Sequence, residues 1–98
     1  MIYLEKNNLD DLLNDDITLV DFYATWCGPC KMMDSTMEEL KDKYNIIKVD
    51  TDKFKELTFK YRIMSIPTIL VFKNKELVNE IVGFQSKEEL ESKIKEDL

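Results

Sequence analysis

The sequence predicts an α/β domain, a mixed β-sheet with helices on both faces. Three observations carry this. Short runs rich in β-branched and aromatic residues alternate with segments of helical periodicity, an order that favours parallel strands joined by crossover helices. Two of those runs are apolar on both sides, as strands covered on two faces are. The last two runs are separated only by a short polar turn, which makes them an antiparallel hairpin.

Taken in order, Ile2-Tyr3-Leu4-Glu5 is a short strand. Asn7 or Asn8 can cap a short helix through about Leu13, with Leu9, Leu12 and Leu13 as its apolar face. Asn14-Asp15-Asp16 is a turn, and Ile17 to Tyr23 is a central strand in which Asp21 is the exception. From Cys30 the apolar residues fall at Met33, Met37, Leu40 and Tyr44, spacings that put them on one helix face. Pro29 suits the first turn of that helix, and Asn45 is a C-terminal stop. Ile46 to Asp50 is a second buried strand, with Lys48 its odd member. Asp52 is placed to cap a helix from about Lys53 to Tyr61, and Ser65-Ile66-Pro67 breaks the chain. Thr68–Phe72 and Glu76–Val82 pair around Asn74-Lys75. After Gly83, Ser86 and Glu89 form a capping box for a final helix with Leu90, Ile94 and Leu98 in a stripe.

The 98 residues make one domain, 1–98, and no internal repeat or linker divides them. A net charge of −6 argues against nucleic acid or an anionic membrane surface as a partner. Met1 to Asn8 lacks the basic-then-apolar pattern of a signal peptide, and no apolar run is long enough to span a bilayer. The default expectation is a cytoplasmic protein, in a compartment where structural disulfides are rare.

Against that background the two cysteines stand out. Cys27 and Cys30 sit in Trp26-Cys27-Gly28-Pro29-Cys30, at the start of the long helix. A Cys-x-x-Cys pair can be a staple, part of a metal site or a redox couple. The loop is too short for a staple to remove much chain entropy. With no His and no other Cys, one copy of the chain cannot supply four N/S ligands to zinc. Redox chemistry is favoured, because unpaired N–H groups at a helix N-terminus stabilise a thiolate. Cys27, nearer the helix end and solvent, is the expected nucleophile and Cys30 the resolving thiol. Asp21 lies in an apolar strand, where burial should raise its proton affinity and make it a candidate proton acceptor for Cys30. Lys48 either modulates that carboxylate or is a solvated lysine at a strand edge.

The block Val20-Asp21-Phe22-Tyr23-Ala24-Thr25-Trp26-Cys27-Gly28-Pro29-Cys30-Lys31-Met32 resembles the active-site segment of the thioredoxin family. The likeness continues through Lys48-Val49-Asp50, Ser65-Ile66-Pro67-Thr68, Phe72-Lys73-Asn74 and Val82-Gly83, covering nearly the whole chain. It implies a thioredoxin fold, a central mixed five-stranded sheet in order 1-3-2-4-5 flanked by four helices, with a cis Ile66–Pro67 bond. It also assigns the proton-acceptor role to Asp21. Trp26, Gly28, Pro29, Ile66, Pro67, Val82 and Gly83 would frame a mostly apolar substrate-binding patch around Cys27. Ordinary packing is the simpler reading for Trp26, and ordinary core for Ile66 and Val82.

The implied activity is protein disulfide reduction through a mixed disulfide, as a general cytosolic electron donor. The implied partners are a thioredoxin reductase and disulfide-containing clients such as ribonucleotide reductase, peroxiredoxin or methionine sulfoxide reductase. A monomer is expected, with no metal and no cofactor. Among only two glycines there is no Gly-x-Gly-x-x-Gly for a nicotinamide or flavin. An oxidase or isomerase of the same fold, and a binding module with incidental thiols, are the competing readings. The chain departs from the family pattern at Ser35, where a proline is common, and a weaker helix kink is expected there. Lys75, Ser65 and Arg62 stand where glycine is frequent, and Tyr23 where a second tryptophan is.

Overall fold

The computed structural model describes residues 1–96. Five strands, β1 (Ile2–Tyr3), β2 (Ile17–Tyr23), β3 (Asn45–Asp50), β4 (Thr68–Lys73) and β5 (Glu76–Val82), form one sheet. Their order is β1-β3-β2-β4-β5. The β1–β3 and β2–β3 pairs are parallel, while β4 runs antiparallel to both β2 and β5. The helices are α1 (Leu9–Leu12), α2 (Gly28–Leu40), α3 (Lys55–Lys60) and α4 (Lys87–Lys95). This is the mixed sheet expected from the alternation of patterns, with β2 central and α2 following it directly.

Side-chain alternation along β2 decides what each face of the sheet buries. Val20 and Phe22 point to one side, where they join Ile47, Val49, Leu70 and Phe72 beneath Leu9, Leu13, Phe54 and Leu57. Leu19 points to the other, where Ile46, Ile69, Val71 and Ile81 meet Met33, Met37 and Leu40 of α2 and Leu90 and Ile94 of α4. Asp21 shares that second face with Leu19, and Lys48 shares it with Ile46. A strand buried on both sides therefore carries one acid toward α2.

Several boundaries differ from the sequence reading, each for a local reason. The first strand is two residues long. Leu4 nevertheless extends its pairing, its N–H donating to the Lys48 carbonyl at 2.9 Å. The first helix ends at Leu12, and Leu13, expected inside it, is extended at ψ 144° with its side chain in the core. Asn8 precedes it without a side-chain capping bond. The long helix stops at Leu40, so Tyr44 lies beyond it. Asn45 is not a helix stop but the first residue of β3, its Nδ2 donating to Thr18 Oγ1 at 3.0 Å and to the Leu12 carbonyl at 3.1 Å. The third helix begins at Lys55, and Phe54 rather than Asp52 occupies its N-cap. Its end is a Schellman motif: Ile63 N–H reaches the Thr58 carbonyl and Arg62 N–H the Phe59 carbonyl, both at 3.0 Å.

Other local signals match. Ser86 Oγ accepts from Glu89 N–H at 3.1 Å while Glu89 Oε1 accepts from Ser86 N–H at 2.9 Å, the capping box of α4. Leu90 and Ile94 are buried as expected, and Leu98 lies outside the described residues. Asn74 and Lys75 take φ values of 51° and 68°, a pair of left-handed residues that closes the β4–β5 hairpin with the strand twist. Among the described residues no helix is long and apolar enough to cross a membrane.

Candidate functional site

Cys27 is the N-cap of α2, extended at φ −89° and ψ 112°, and its Sγ accepts from the Cys30 N–H at 3.2 Å. Gly28 and Pro29 form the first helical positions, where the missing proline N–H leaves nothing unsatisfied. Cys30 follows within the first turn. The two sulfurs are bonded to each other. Both residues are nearly closed to solvent, Cys27 at 5% and Cys30 at 3% exposure. Exposure therefore separates them little; their places on the helix separate them. Cys27 lies outside the first turn and accepts the Cys30 N–H, whereas Cys30 is packed inside it.

The Cys27 sulfur lies 3.9 Å from the Ile66 carbonyl oxygen. The Ile66–Pro67 peptide is cis. Two bonds fix this loop: Thr68 Oγ1 donates to the Ser65 carbonyl at 2.7 Å, and Gly83 N–H donates to the Pro67 carbonyl at 2.8 Å. Gly83 adopts φ 89°, a backbone conformation that a side chain would strain. Val82, read as core in the simpler alternative, is 53% exposed. Gly28 and Pro29 are exposed, Ile66 and Gly83 half-buried and Pro67 buried. Ile66 packs against the cluster of Ala24 and the two cysteines.

Trp26 is 70% exposed, so it is not a packing residue. Its indole Nε1 donates to Asp52 Oδ2 at 2.8 Å. The sequence reading gave Asp52 to a helix cap and missed this pairing; no spacing rule connects residues 26 apart across the β2–α2–β3 crossover. Met64 and Phe59, 91% and 85% exposed, also escaped notice. With Lys55, Lys60 and Arg62 they line a shallow pocket of about 650 Å³ beside the cis-proline loop.

On the face of the sheet that α2 covers, the acid and the lysine meet. Asp21 and Lys48 are opposite one another in the β2–β3 register, and Lys48 Nζ stands 2.9 Å from Asp21 Oδ2. The lysine is therefore buried, not solvated at an edge. Its ammonium also donates to Asp34 Oδ1 and lies 4.6 Å from the centre of the Tyr23 ring. Burial pushes the Asp21 carboxyl above the usual carboxylate range, against the opposing pull of Lys48. For Lys48, burial lowers its proton affinity, but the Asp21 charge and the Asp34 hydrogen bond outweigh that and leave it raised. Asp34 comes four residues after Cys30, one turn on, and both line a cavity of about 190 Å³ with Tyr23, Ala24, Thr25 and Lys31. Among the described residues no group of three or more His, Cys, Asp or Glu side chains is placed to hold a metal ion.

A disulfide at a helix N-cap, facing a cis-proline loop on a sheet of this order, narrows the choice of family. The family model described as thioredoxin matches residues 1–96. The chain belongs to the thioredoxin family. It is 44% identical to a thioredoxin of Staphylococcus saprophyticus over 102 aligned positions, covering 100% of this chain and 98% of that protein. A thioredoxin of Staphylococcus aureus is 46% identical over 87 positions, covering 85% of this chain and 84% of its own. Among solved structures, a thioredoxin variant from Halobacterium salinarum superposes with a TM-score of 0.89 at 34% identity, covering 98% of this chain and 88% of that one. A reduced Schistosoma mansoni thioredoxin pre-protein gives 0.86 at 38% identity, covering 99% and 97%. Membership of the thioredoxin family and the bonded Cys27–Cys30 pair make the chain a thiol–disulfide oxidoreductase acting on proteins.

Proposed function

We propose that this oxidoreductase works in the reducing direction, as a general cytoplasmic electron donor to protein disulfides. The observation that carries the reading is Cys27 at the N-cap of α2, its sulfur facing the Ile66 carbonyl. In the reduced protein the Cys27 thiolate attacks one sulfur of a client disulfide. A mixed disulfide forms and one client thiolate leaves. Cys30 then gives its proton to Asp21, and the Cys30 thiolate attacks Cys27 Sγ. The second client thiolate departs, and the Cys27–Cys30 bond closes. Two electrons pass to the client, whose two thiolates take up protons from solvent.

Lys48 sets the charge state of Asp21 in this scheme. The client's extended segment pairs with the backbone at Ile66 and Pro67 as an added strand. Trp26, Gly28, Pro29, Val82 and Gly83 supply the uncharged rim. A thioredoxin reductase recharges the disulfide, and ribonucleotide reductase, peroxiredoxin and methionine sulfoxide reductase are the client classes proposed. The Gly-Pro dipeptide between the cysteines favours a reductase over an oxidase or isomerase. The chain acts as a monomer.

The test is a trap. Reduced Cys30→Ser protein, mixed with oxidised insulin as probe, should accumulate a mixed disulfide at Cys27, and Cys27→Ser should accumulate none. A mixed disulfide through Cys30 in Cys27→Ser instead, or no trapping in either variant, sinks the assignment of nucleophile. Equilibration of the parent protein with a glutathione buffer decides direction: a pair that stays reduced at an oxidising poise belongs to an oxidase, not to this reductase.

A further inference from the structure

Asp34 is the acid that neither the motif nor the strand pattern brings into the site. Its side chain is 52% exposed, while that of Lys48, which it binds, is 1% exposed and that of Asp21 is wholly buried. The ammonium is thus bracketed by two carboxylates, one inside the protein and one at its surface. The bracket is built from three elements: Asp21 from β2, Lys48 from β3 and Asp34 from α2. Because Asp34 follows Cys30 by one helical turn, the two residues border the same small cavity.

We propose that Asp34 is a positioning residue for proton transfer at Cys30: by sharing the Lys48 ammonium, it prevents that ammonium from neutralising Asp21 alone and keeps Asp21 the stronger base. This rests on the reading of Asp21 as the acceptor of the Cys30 proton. The groups around Asp21 permit little else to set its charge. Lys48 faces it from β3 and Asp34 from α2. Its β4 neighbour is Ile69, and α4 contributes Leu90 and Ile94 to that face. The rings of Tyr3 and Tyr23 lie 5.9 and 4.6 Å from the ammonium and hold it laterally.

Removing the Asp34 charge acts in one direction by two routes. A negative charge near Asp21 is lost, and the ammonium returns wholly to Asp21. Both favour the Asp21 carboxylate over its acid, so both weaken it as a base. The raised proton affinity of Asp21 has burial as its main cause and the Asp34 charge as a smaller one, in the same sense.

The experiment compares the parent with Asp34→Asn, Asp34→Glu, Asp21→Asn and the Asp21→Asn/Asp34→Asn double variant. Carboxyl carbon NMR follows the titration of Asp21 in the reduced proteins, a readout that needs no client. Stopped-flow absorbance then follows the second thionitrobenzoate released when the Cys27 mixed disulfide with that thiol is resolved by Cys30, from pH 5 to 9. In Asp34→Asn the Asp21 midpoint should fall by about half a pH unit, the size expected of one charge at a partly exposed site. Resolution near neutral pH should slow by at most about threefold, the limit that half a unit of base strength sets. Asp34→Glu should restore both, and the double variant should be no slower than Asp21→Asn alone. An unmoved midpoint overturns the proposal by showing that the ammonium is not shared. Parental resolution in Asp21→Asn overturns it differently, by removing Asp21 from the reaction.

Discussion

Lys48 Nζ lies 2.9 Å from Asp21 Oδ2, across the centre of the sheet, with neither side chain more than 1% exposed. Neither oxygen of that carboxylate has a hydrogen bond of good geometry. Such a pair contributes little to stability, because two desolvated charges must be offset by one imperfect contact. A sheet otherwise filled with Leu, Ile, Val and Phe has no packing need for either residue. The pair fits the proposed role of Asp21 as acceptor of the Cys30 proton.

One consequence is a stability that falls as pH rises. In the unfolded chain an aspartate titrates near 3.9, whereas burial holds the folded Asp21 above that. Between the two midpoints the folded protein keeps the proton that the unfolded chain has released, so stability declines through this window and levels off above the folded midpoint. Asp21→Asn cannot titrate. Urea melts of the oxidised protein should show parent and variant nearly equal below about pH 4. The variant's advantage should grow by about 1.4 kcal/mol per pH unit inside the window. A constant difference across pH would be inconsistent with a raised Asp21.

Lys48→Met should behave in the opposite way. Methionine keeps the length and apolar stem but leaves Asp21 without its counter-charge. Breaking a buried pair from one side typically costs about 3–5 kcal/mol, and protonation of Asp21 offsets part of this. The loss should therefore be large at pH 8 and small at about pH 3, below the ordinary aspartate midpoint, where the raised Asp21 holds its proton in either protein. Adding Asp21→Asn should recover most of the stability at pH 8. Equal losses at both pH values would mean that the methionine packs badly and that charge is not the cause.

The Trp26–Asp52 hydrogen bond gives a third expectation. It joins the residue before Cys27 to the loop before α3, at the protein surface. A solvent-exposed bond of this kind stabilises the fold by no more than about 1 kcal/mol. Its effect is on orientation. Trp26 is the chain's only tryptophan, so its emission reports one site. In Asp52→Ala the steady-state anisotropy of Trp26 should fall and the rate of Cys27 attack on insulin should change, with the denaturation midpoint almost unmoved. Unchanged anisotropy would show that packing, not Asp52, holds the indole.

How far the chain could be read in advance depended on whether a signal was local. The strands, the α4 capping box and the start of α2 follow from neighbours in sequence, and all formed, with β1 two residues shorter than expected and β3 and β4 each one residue longer. Asn45 and Asp52 carried ambiguous signals, since both residue types serve turns, caps and long-range bonds alike. Each was assigned a local partner and instead took a distant one: Leu12 and Thr18 for Asn45, Trp26 for Asp52. Asp34 had one usable clue, its place four residues after Cys30. Only the β2–β3 register, which sets Lys48 opposite Asp21, turns that clue into a contact. Met64 and Phe59 carried no local signal of exposure: Phe59 sits on the open face of α3, and Met64 follows the end of that helix.

That end and the β4–β5 turn share a feature that permits a last test. Arg62 and Lys75 both hold positive φ, 53° and 68°, where a side chain is strained. Arg62 borders the pocket beside the cis-proline loop, so its replacement would mix backbone and docking effects. Lys75 lies at the hairpin tip, remote from the cysteines. Lys75→Gly removes a backbone penalty of about 1–2 kcal/mol. It also frees the unfolded chain, which returns about 0.4–1 kcal/mol. The net gain should be roughly 0.5–1 kcal/mol, a rise in melting temperature of about 4 °C for a domain of this size. Insulin reduction should be unchanged, because the hairpin keeps its left-handed turn and the register of β4 against β2 stays fixed. A melting temperature at or below the parent's would show that the Lys75 side chain supplies contacts worth more than the strain.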